Sequence, residues 1–299
     1  MPPILVHEVG PRDGLQVEPQ VVPLETKLDW LGRLIGSGVD IVQVGSFVHP
    51  AKVPQMADTD ELFRRLRAQP RTSRAVLSGL VLNEKGLERG LSCGVELFCL
   101  GVSASETHSL KNTGMGTAEA TTRIIATALE AKRAGKDVQV SVQSAFGCGF
   151  EGAVPEDRVM GIVAKYLAAG LDAVSLADTA GHANPEQVAG YVRRILAMEP
   201  NARITAHIHN TYGLGMASVY AAMAAGATAI ETSFGGLGGC PFTKVAAGNV
   251  ATEDFVHGLQ RAGQRTEISL ATLLGIARDV AAFFGRDLPG CVYKIGAIA

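Results

Sequence analysis

Two histidines, His207 and His209, stand one residue apart in "ITAHIHNTYG" (residues 204–213), a stretch that otherwise reads as a buried strand. Alternate residues of a strand share a face, so both rings point the same way. Burial penalises the charged form of imidazole, which leaves neutral nitrogens free to bind a metal. The competing reading is a pair of core histidines satisfied by hydrogen bonds. A divalent ion needs further donors. Asp13, in "GPRDGLQ", offers a carboxylate, although "RDG" is also turn chemistry. Asn249, in "AAGNVATED", can lend an amide oxygen or cap the helix that follows. Two nitrogens and two oxygens with open positions suit octahedral Mg²⁺ or Mn²⁺ better than closed tetrahedral zinc. Cys240 lies among the glycines of "GGLGGCPF", on a loop able to reach a bound substrate. A thiol with an ordinary pKa of about 8.5 is mostly protonated at neutral pH and can donate a proton. A buried, inert cysteine is the plainer alternative.

Such groups need a scaffold that collects them. Eight short apolar or β-branched runs recur, near residues 4, 39, 75, 95, 137, 171, 203 and 228. Between most of them lie stretches with apolar residues at helical spacing, such as "LETKLDWLGRLIGSG" and "PEDRVMGIVAKYLAAG". Strand alternating with helix argues a parallel sheet with helical crossovers, and eight units in about 240 residues favour a closed (β/α)8 TIM barrel over a doubly wound open sheet. No GxGxxG follows the first strand, which weakens a dinucleotide-binding version. Later residues supply the last crossover and extra C-terminal helices, including "ISLATLLGIARDVAAFFG". No linker or low-complexity stretch interrupts the chain, so one domain over residues 1–299 is expected. In such barrels the chemistry gathers at the C-terminal ends of strands. The polar segments "GPRDGLQ", "ADTAGH", "HIHNTYG" and "GGLGGCPFTKVAAGN" all fall there.

The 299 residues are 47% hydrophobic and 19% charged, with a formal net charge of -2. That composition gives no electrostatic case for nucleic acid and no span for a membrane. Five dispersed cysteines without a CxxC pair read as free thiols. The N-terminus lacks the pattern of a secretory or organelle leader, so a cytoplasmic location is expected. His49, His108, His182 and His257 read as loop, cap or surface groups.

The motifs "EVGPRDGLQ", "SFVHPAKVPQMAD", "HIHNTYG", "GGLGGCPF" and "AAGNVATEDFVHGL" together resemble the 3-hydroxy-3-methylglutaryl-CoA lyases, metal-dependent (β/α)8 enzymes related to the Claisen-condensing synthases. The resemblance runs from residue 4 to about 260; "RDG" and HxH are shared with the synthases, whereas "GLGGCP" and "VPQMAD" are more particular to the lyases. It implies Asp13, His207, His209 and Asn249 as metal ligands. It implies Arg12 beside the enolate oxygen, Cys240 as the thiol that protonates the product enolate, and Asp178 near the reacting hydroxyl, with Asp178 or His207 as the base. Gln16, Gln43, Ser46, Lys111 and Asn112 fall where substrate and coenzyme A would bind. The implied reaction is a retro-Claisen cleavage to acetyl-CoA and a keto acid, and the implied assembly is a homodimer. Two positions depart from the pattern. Gln43 stands where the lyases carry Glu, and Asn210 where an Asp follows HxH. Either change is consistent with a related substrate such as citramalyl-CoA. A condensing acyltransferase and a non-catalytic CoA-ester-binding barrel are the competing classes.

Overall fold

The computed structural model describes residues 3–70, 73–239 and 248–298. Eight strands form a closed, all-parallel barrel in chain order. They are β1 (Leu5–Glu8), β2 (Ile41–Ser46), β3 (Val76–Leu80), β4 (Leu97–Ser103), β5 (Asp137–Gln143), β6 (Ala173–Asp178), β7 (Arg203–Ile208) and β8 (Ala229–Thr232). β8 pairs with β1, with Glu231 beside His7, and this closes the ring. The (β/α)8 expectation holds, and each of the eight sequence runs contains one strand. Helix Leu270–Phe284 follows the last barrel unit, as its apolar period predicts.

The strands and helices meet in a continuous apolar shell that includes Phe63, Phe98, Tyr166 and Phe255, all fully buried. Burial of such side chains contributes about 1.5–3 kcal/mol each before entropy is charged against it. Inside the ring the character changes. A small apolar cluster of Ile41, Leu97 and Cys99, flanked by Val76 and Leu80, is separate from the main core. Beside it the interior turns polar. His7, Ser78, Gln139 and Thr205 come from odd-numbered strands, and Gln43, Cys99, Ser175 and Glu231 from even-numbered ones, the alternation that layers a barrel interior.

Two local features aim the site. The β2–β3 register shifts between Gln43 and Gly45, a bulge that lets Gln43 and Ser46, three residues apart, both face inward. Gly45 is required there, because a Cβ at this position would come within 2.4 Å of Thr59 Oγ1. After β1 the chain tightens into a π-type turn, Gly10–Gly14, that carries Arg12 and Asp13. Glu8 ties this turn to the segment after β8. One of its oxygens accepts from Gly10 N at 2.7 Å and Phe234 N at 3.0 Å, and the other from Thr252 Oγ1 at 2.6 Å. Nearby, Glu253 accepts from Gly235 N at 3.0 Å.

Both carboxyls sit in the apolar shell. Burial pushes Glu8 up to about 7 against its hydrogen bonds, and pushes Glu253 up to about 8. Raised carboxyl pKa values favour the protonated folded state, so stability is full below the unfolded value near 4.5 and is lost as pH rises through about 7 and 8. Thermal unfolding should therefore fall in midpoint between pH 5 and pH 8. Glu8→Gln copies the protonated acid, donating to Thr252 and accepting from the two amides. It should match the wild type at pH 5, exceed it at pH 8 and flatten the slope; an unchanged slope contradicts this account.

Candidate metal and active site

The ends of β1, β2, β7 and β8 converge on a cavity of about 340 Å³. Its lining includes Arg12, Asp13, Gln16, Gln43, Ser46, Asn112, His207 and His209. Most of the residues named from sequence are thus brought together. His207 and His209 share the inward face of β7 and its extension, as strand parity requires. Their Nε2 atoms approach to 3.1 Å, a contact that a single proton or a single cation must bridge. Asp13 Oδ2 lies 3.8 Å from His207 Nε2 and 3.7 Å from His209 Nε2. These three buried ligand atoms fall within 4.8 Å of one another. Donors at right angles around an ion with bonds of about 2.1 Å sit about 3.0 Å apart, and opposite donors about 4.2 Å apart. The imidazole spacing matches the first figure and the carboxylate spacing falls between the two, so the residues fit a divalent ion.

Asn249 enters beside them. The segment after residue 247 runs along the end of β7, with Asn249 bridged to His209. Its Nδ2 donates to Asp13 Oδ2 at 2.7 Å and to Leu237 O at 3.0 Å, and its buried Oδ1 has no partner among the described residues. The capping alternative is excluded, because Ala251 is the N-cap of helix Thr252–Arg261. Gly238 makes the close approach possible. Its φ is +110°, and a Cβ there would meet Asn249 Nδ2 at 2.5 Å and Asp13 Oδ2 at 3.0 Å.

Charge in this pocket is tightly balanced. Arg12 Nη1 donates to Asp13 Oδ1 at 2.5 Å, and Arg12 Nε donates to Gln43 Oε1. Burial would raise Asp13, but the Arg12 guanidinium and the two imidazoles hold it well below the usual carboxylate range. At His207 burial is not the whole balance. Burial does lower it, yet the hydrogen bond from Nδ1 to Glu231 Oε2 (2.7 Å) and the charges of Asp13 and Glu231 raise it overall. Glu231 itself lies well below its ordinary value. Burial opposes this, but His207 and His7 prevail.

Other assignments fare differently. Asp178 does not reach the cavity, although Ala177 and Thr179 on either side of it do. Its carboxylate accepts from His182 N at 2.8 Å and Ala183 N at 3.2 Å, and its charge interacts with His209. Lys111 is exposed beside the cavity, with its ammonium 3.8 Å from the centroid of Phe150. His108, read as a surface or cap group, lines the cavity instead, and burial lowers its pKa against the charge of Glu151. Cys240 lies outside the described residues; Gly239, immediately before it, lines the cavity. His7, Gln139 and Glu231 were passed over in the sequence. The signal that drew attention to HxH, an ionisable residue in an apolar strand, is equally present in "LVHE" and "AIET".

The family model described as HMGL-like matches residues 4–280. The chain belongs to the HMGL-like family. It is 37% identical to the (R)-citramalyl-CoA lyase of Chloroflexus aurantiacus, over 100% of this chain and 96% of that protein. It is 35% identical to a hydroxymethylglutaryl-CoA lyase of Bacillus subtilis, over 96% of this chain and 95% of that one. Among solved structures, an HMG-CoA lyase of Acinetobacter baumannii in complex with coenzyme A and 3-methylmalate superposes with a TM-score of 0.91 at 37% identity, covering 98% of this chain and 95% of that one. Against the HMGL-like pattern the two departures have local explanations. Gln43 still presents an acceptor to Arg12 Nε, while contributing one negative charge fewer than Glu would. Asn210 closes the turn after β7 by accepting from Gly215 N at 2.8 Å, a bond an Asp oxygen makes equally well.

Calorimetric titration with Mn²⁺ separates the inward residues from the outward one. Asp13→Ala and His209→Ala should each weaken binding by more than about 100-fold, whereas Asp178→Asn should bind as the wild type does. Equal losses in all three would contradict the assignment.

Proposed function

We propose that this chain is a divalent-metal-dependent carbon–carbon lyase that cleaves a tertiary 3-hydroxyacyl-CoA, 3-hydroxy-3-methylglutaryl-CoA foremost, to acetyl-CoA and acetoacetate. The observation that carries the reading is Arg12 held against the Asp13–His207–His209 cluster at the mouth of a cavity sized for an acyl group. Mg²⁺ or Mn²⁺ held by Asp13, His207, His209 and Asn249 would lower the pKa of the substrate hydroxyl and fix its orientation. In the cleavage the hydroxyl loses its proton, the C2–C3 bond breaks, the carbinol carbon becomes the ketone, and the electron pair moves onto the thioester as an enolate. Of the two candidate bases, Asp178 does not line the cavity and the Nε2 of His207 is committed to the ion, so the acidified hydroxyl is proposed to pass its proton to solvent water in the cavity. Arg12 is fixed from two sides, and the role proposed for its permanent charge is to meet the enolate oxygen as negative charge develops. Gly239 lines the cavity wall, and Cys240, the next residue in sequence, is the proposed proton donor to C2. Gln16, Gln43, Ser46 and Asn112 line the cavity and are the proposed contacts to the acyl group, and Lys111, next to Asn112 in sequence, is the proposed contact to coenzyme A.

A second reading, cleavage of citramalyl-CoA to acetyl-CoA and pyruvate, is favoured by the 37% identity to the Chloroflexus aurantiacus enzyme. It shares every residue role above. We further propose one domain, a homodimer and a cytoplasmic location; among the described residues no helix is long and apolar enough to cross a membrane.

Purified protein supplied with Mg²⁺ or Mn²⁺ should release acetyl-CoA from one of these two thioesters, with acetoacetate or pyruvate identifying which. Arg12→Lys should lower kcat by about 100- to 1,000-fold, because a single ammonium cannot reproduce two directed N–H bonds. No acetyl-CoA from either thioester, or condensation of acetyl-CoA with a 2-keto acid instead, would overturn the lyase reading.

A further inference from the structure

Beneath the cluster lies a polar network that the cleavage itself does not use. Glu231, on β8, is buried and both its oxygens are occupied. Oε2 accepts from His207 Nδ1 at 2.7 Å, and Oε1 accepts from Gln139 Nε2 at 2.6 Å. His7 Nδ1 stands 3.4 Å from the same Oε1, and its Nε2 is 2.9 Å from Ser78 Oγ. Gln139 cannot turn freely, because its own oxygen accepts from Thr205 Oγ1 at 2.9 Å. Its amide nitrogen is therefore held toward Glu231.

We propose that Glu231, held by Gln139 with His7 close by, is the positioning residue that fixes the tautomer of His207 and thereby the divalent-metal affinity of the site. The proposal rests on the reading of Asp13, His207 and His209 as metal ligands. A carboxylate can only accept, so the ring hydrogen of His207 is confined to Nδ1. The lone pair of Nε2 is then left facing His209 Nε2 and Asp13 Oδ2. Burying a carboxylate is costly unless it is fully paired. Filling the barrel does not demand one, since Ile41 and Leu97 fill neighbouring interior space with hydrocarbon. Glu231 is not free to bind substrate directly, because its two oxygens are spent on residues of the barrel interior. Its evident beneficiary is the ring it holds. Gln at this position would offer one acceptor where the His207 and Gln139 donors converge, and no charge. Either His207 or Gln139 must then face an amide N–H, and a hydrogen displaced onto His207 Nε2 removes a metal-binding lone pair.

The test uses metal-stripped full-length protein titrated with Mn²⁺ by calorimetry, with histidine ring ¹⁵N shifts recorded before addition of the ion. Glu231→Gln should bind Mn²⁺ about 10- to 100-fold more weakly, the effect expected for loss of a partner that orients a ligand. The His207 ring should lose its Nδ1–H signature while the thermal midpoint stays near that of the wild type. Should that variant not fold, Glu231→Asp keeps the charge but withdraws it by one methylene, and should weaken Mn²⁺ in the same direction. Wild-type affinity with an unchanged tautomer in whichever variant folds overturns the proposal while leaving the ligand assignment standing. Failure of the wild type to bind Mn²⁺ overturns both. Tight Mn²⁺ binding that Glu231→Gln weakens, in a protein that cleaves neither thioester, upholds this proposal and rejects the proposed reaction.

Discussion

Two imidazole nitrogens and a carboxylate oxygen are crowded within 4.8 Å in a place that water scarcely reaches. Crowding of electron-rich atoms in a low-dielectric pocket is unfavourable unless positive charge is supplied. The surrounding structure reads as a set of answers to that constraint. Arg12 lies against Asp13, the Asn249 amide donates to the same carboxylate, and the ring hydrogen of His207 is drawn back toward Glu231. Each answer is partial, and the gap between the two Nε2 atoms is where a cation would complete the balance.

Positions far from the cluster serve the same constraint. Asp13 is presented by the π-type turn, which Glu8 fastens to the segment after β8. Asn249 can approach because Gly238 occupies a left-handed backbone region without a side chain. The β2 bulge turns both Gln43 and Ser46 inward, and Gln43 then steadies Arg12 from the side opposite Asp13. With an amide in place of a carboxylate at residue 43, Arg12 keeps its orientation while less of its charge is neutralised. In the proposed cleavage, more of that charge would remain for a developing enolate.

Much of this was legible in the sequence, for identifiable reasons. Eight strand runs separated by helical periods specify the barrel, because a parallel sheet needs crossovers and burial on both faces leaves continuous apolar runs. HxH was legible because strand parity is a strict rule, and the two rings do share a face. The same rule, left unapplied to "LAD", would have turned Asp178 away: Ala177 and Thr179 point inward, so the residue between them does not. Parity also fails at β2, where the bulge inverts it between residues 43 and 46, and nothing local in "VQVGSF" announces a bulge except Gly45. The network of His7, Gln139 and Glu231 depends on how the closed barrel brings its strands together, with Gln139 and Glu231 separated by 92 positions in sequence and His7 and Glu231 by more. Sequence alone flags each as an ionisable or polar group in an apolar strand, but only closure of the ring makes them partners. The expectation for His207 counted burial alone, and the carboxylate brought in from β8, which raises its pKa, could not be read from the sequence.

The central claim is that three side chains from the ends of β1 and β7 hold one divalent ion between them. Anomalous diffraction at the manganese edge, from crystals grown with Mn²⁺, tests it most directly. The account predicts a single strong peak within bonding distance of His207 Nε2, His209 Nε2 and an oxygen of Asp13. An ordered pocket without a peak, with the two rings bonded only to protein, would contradict it.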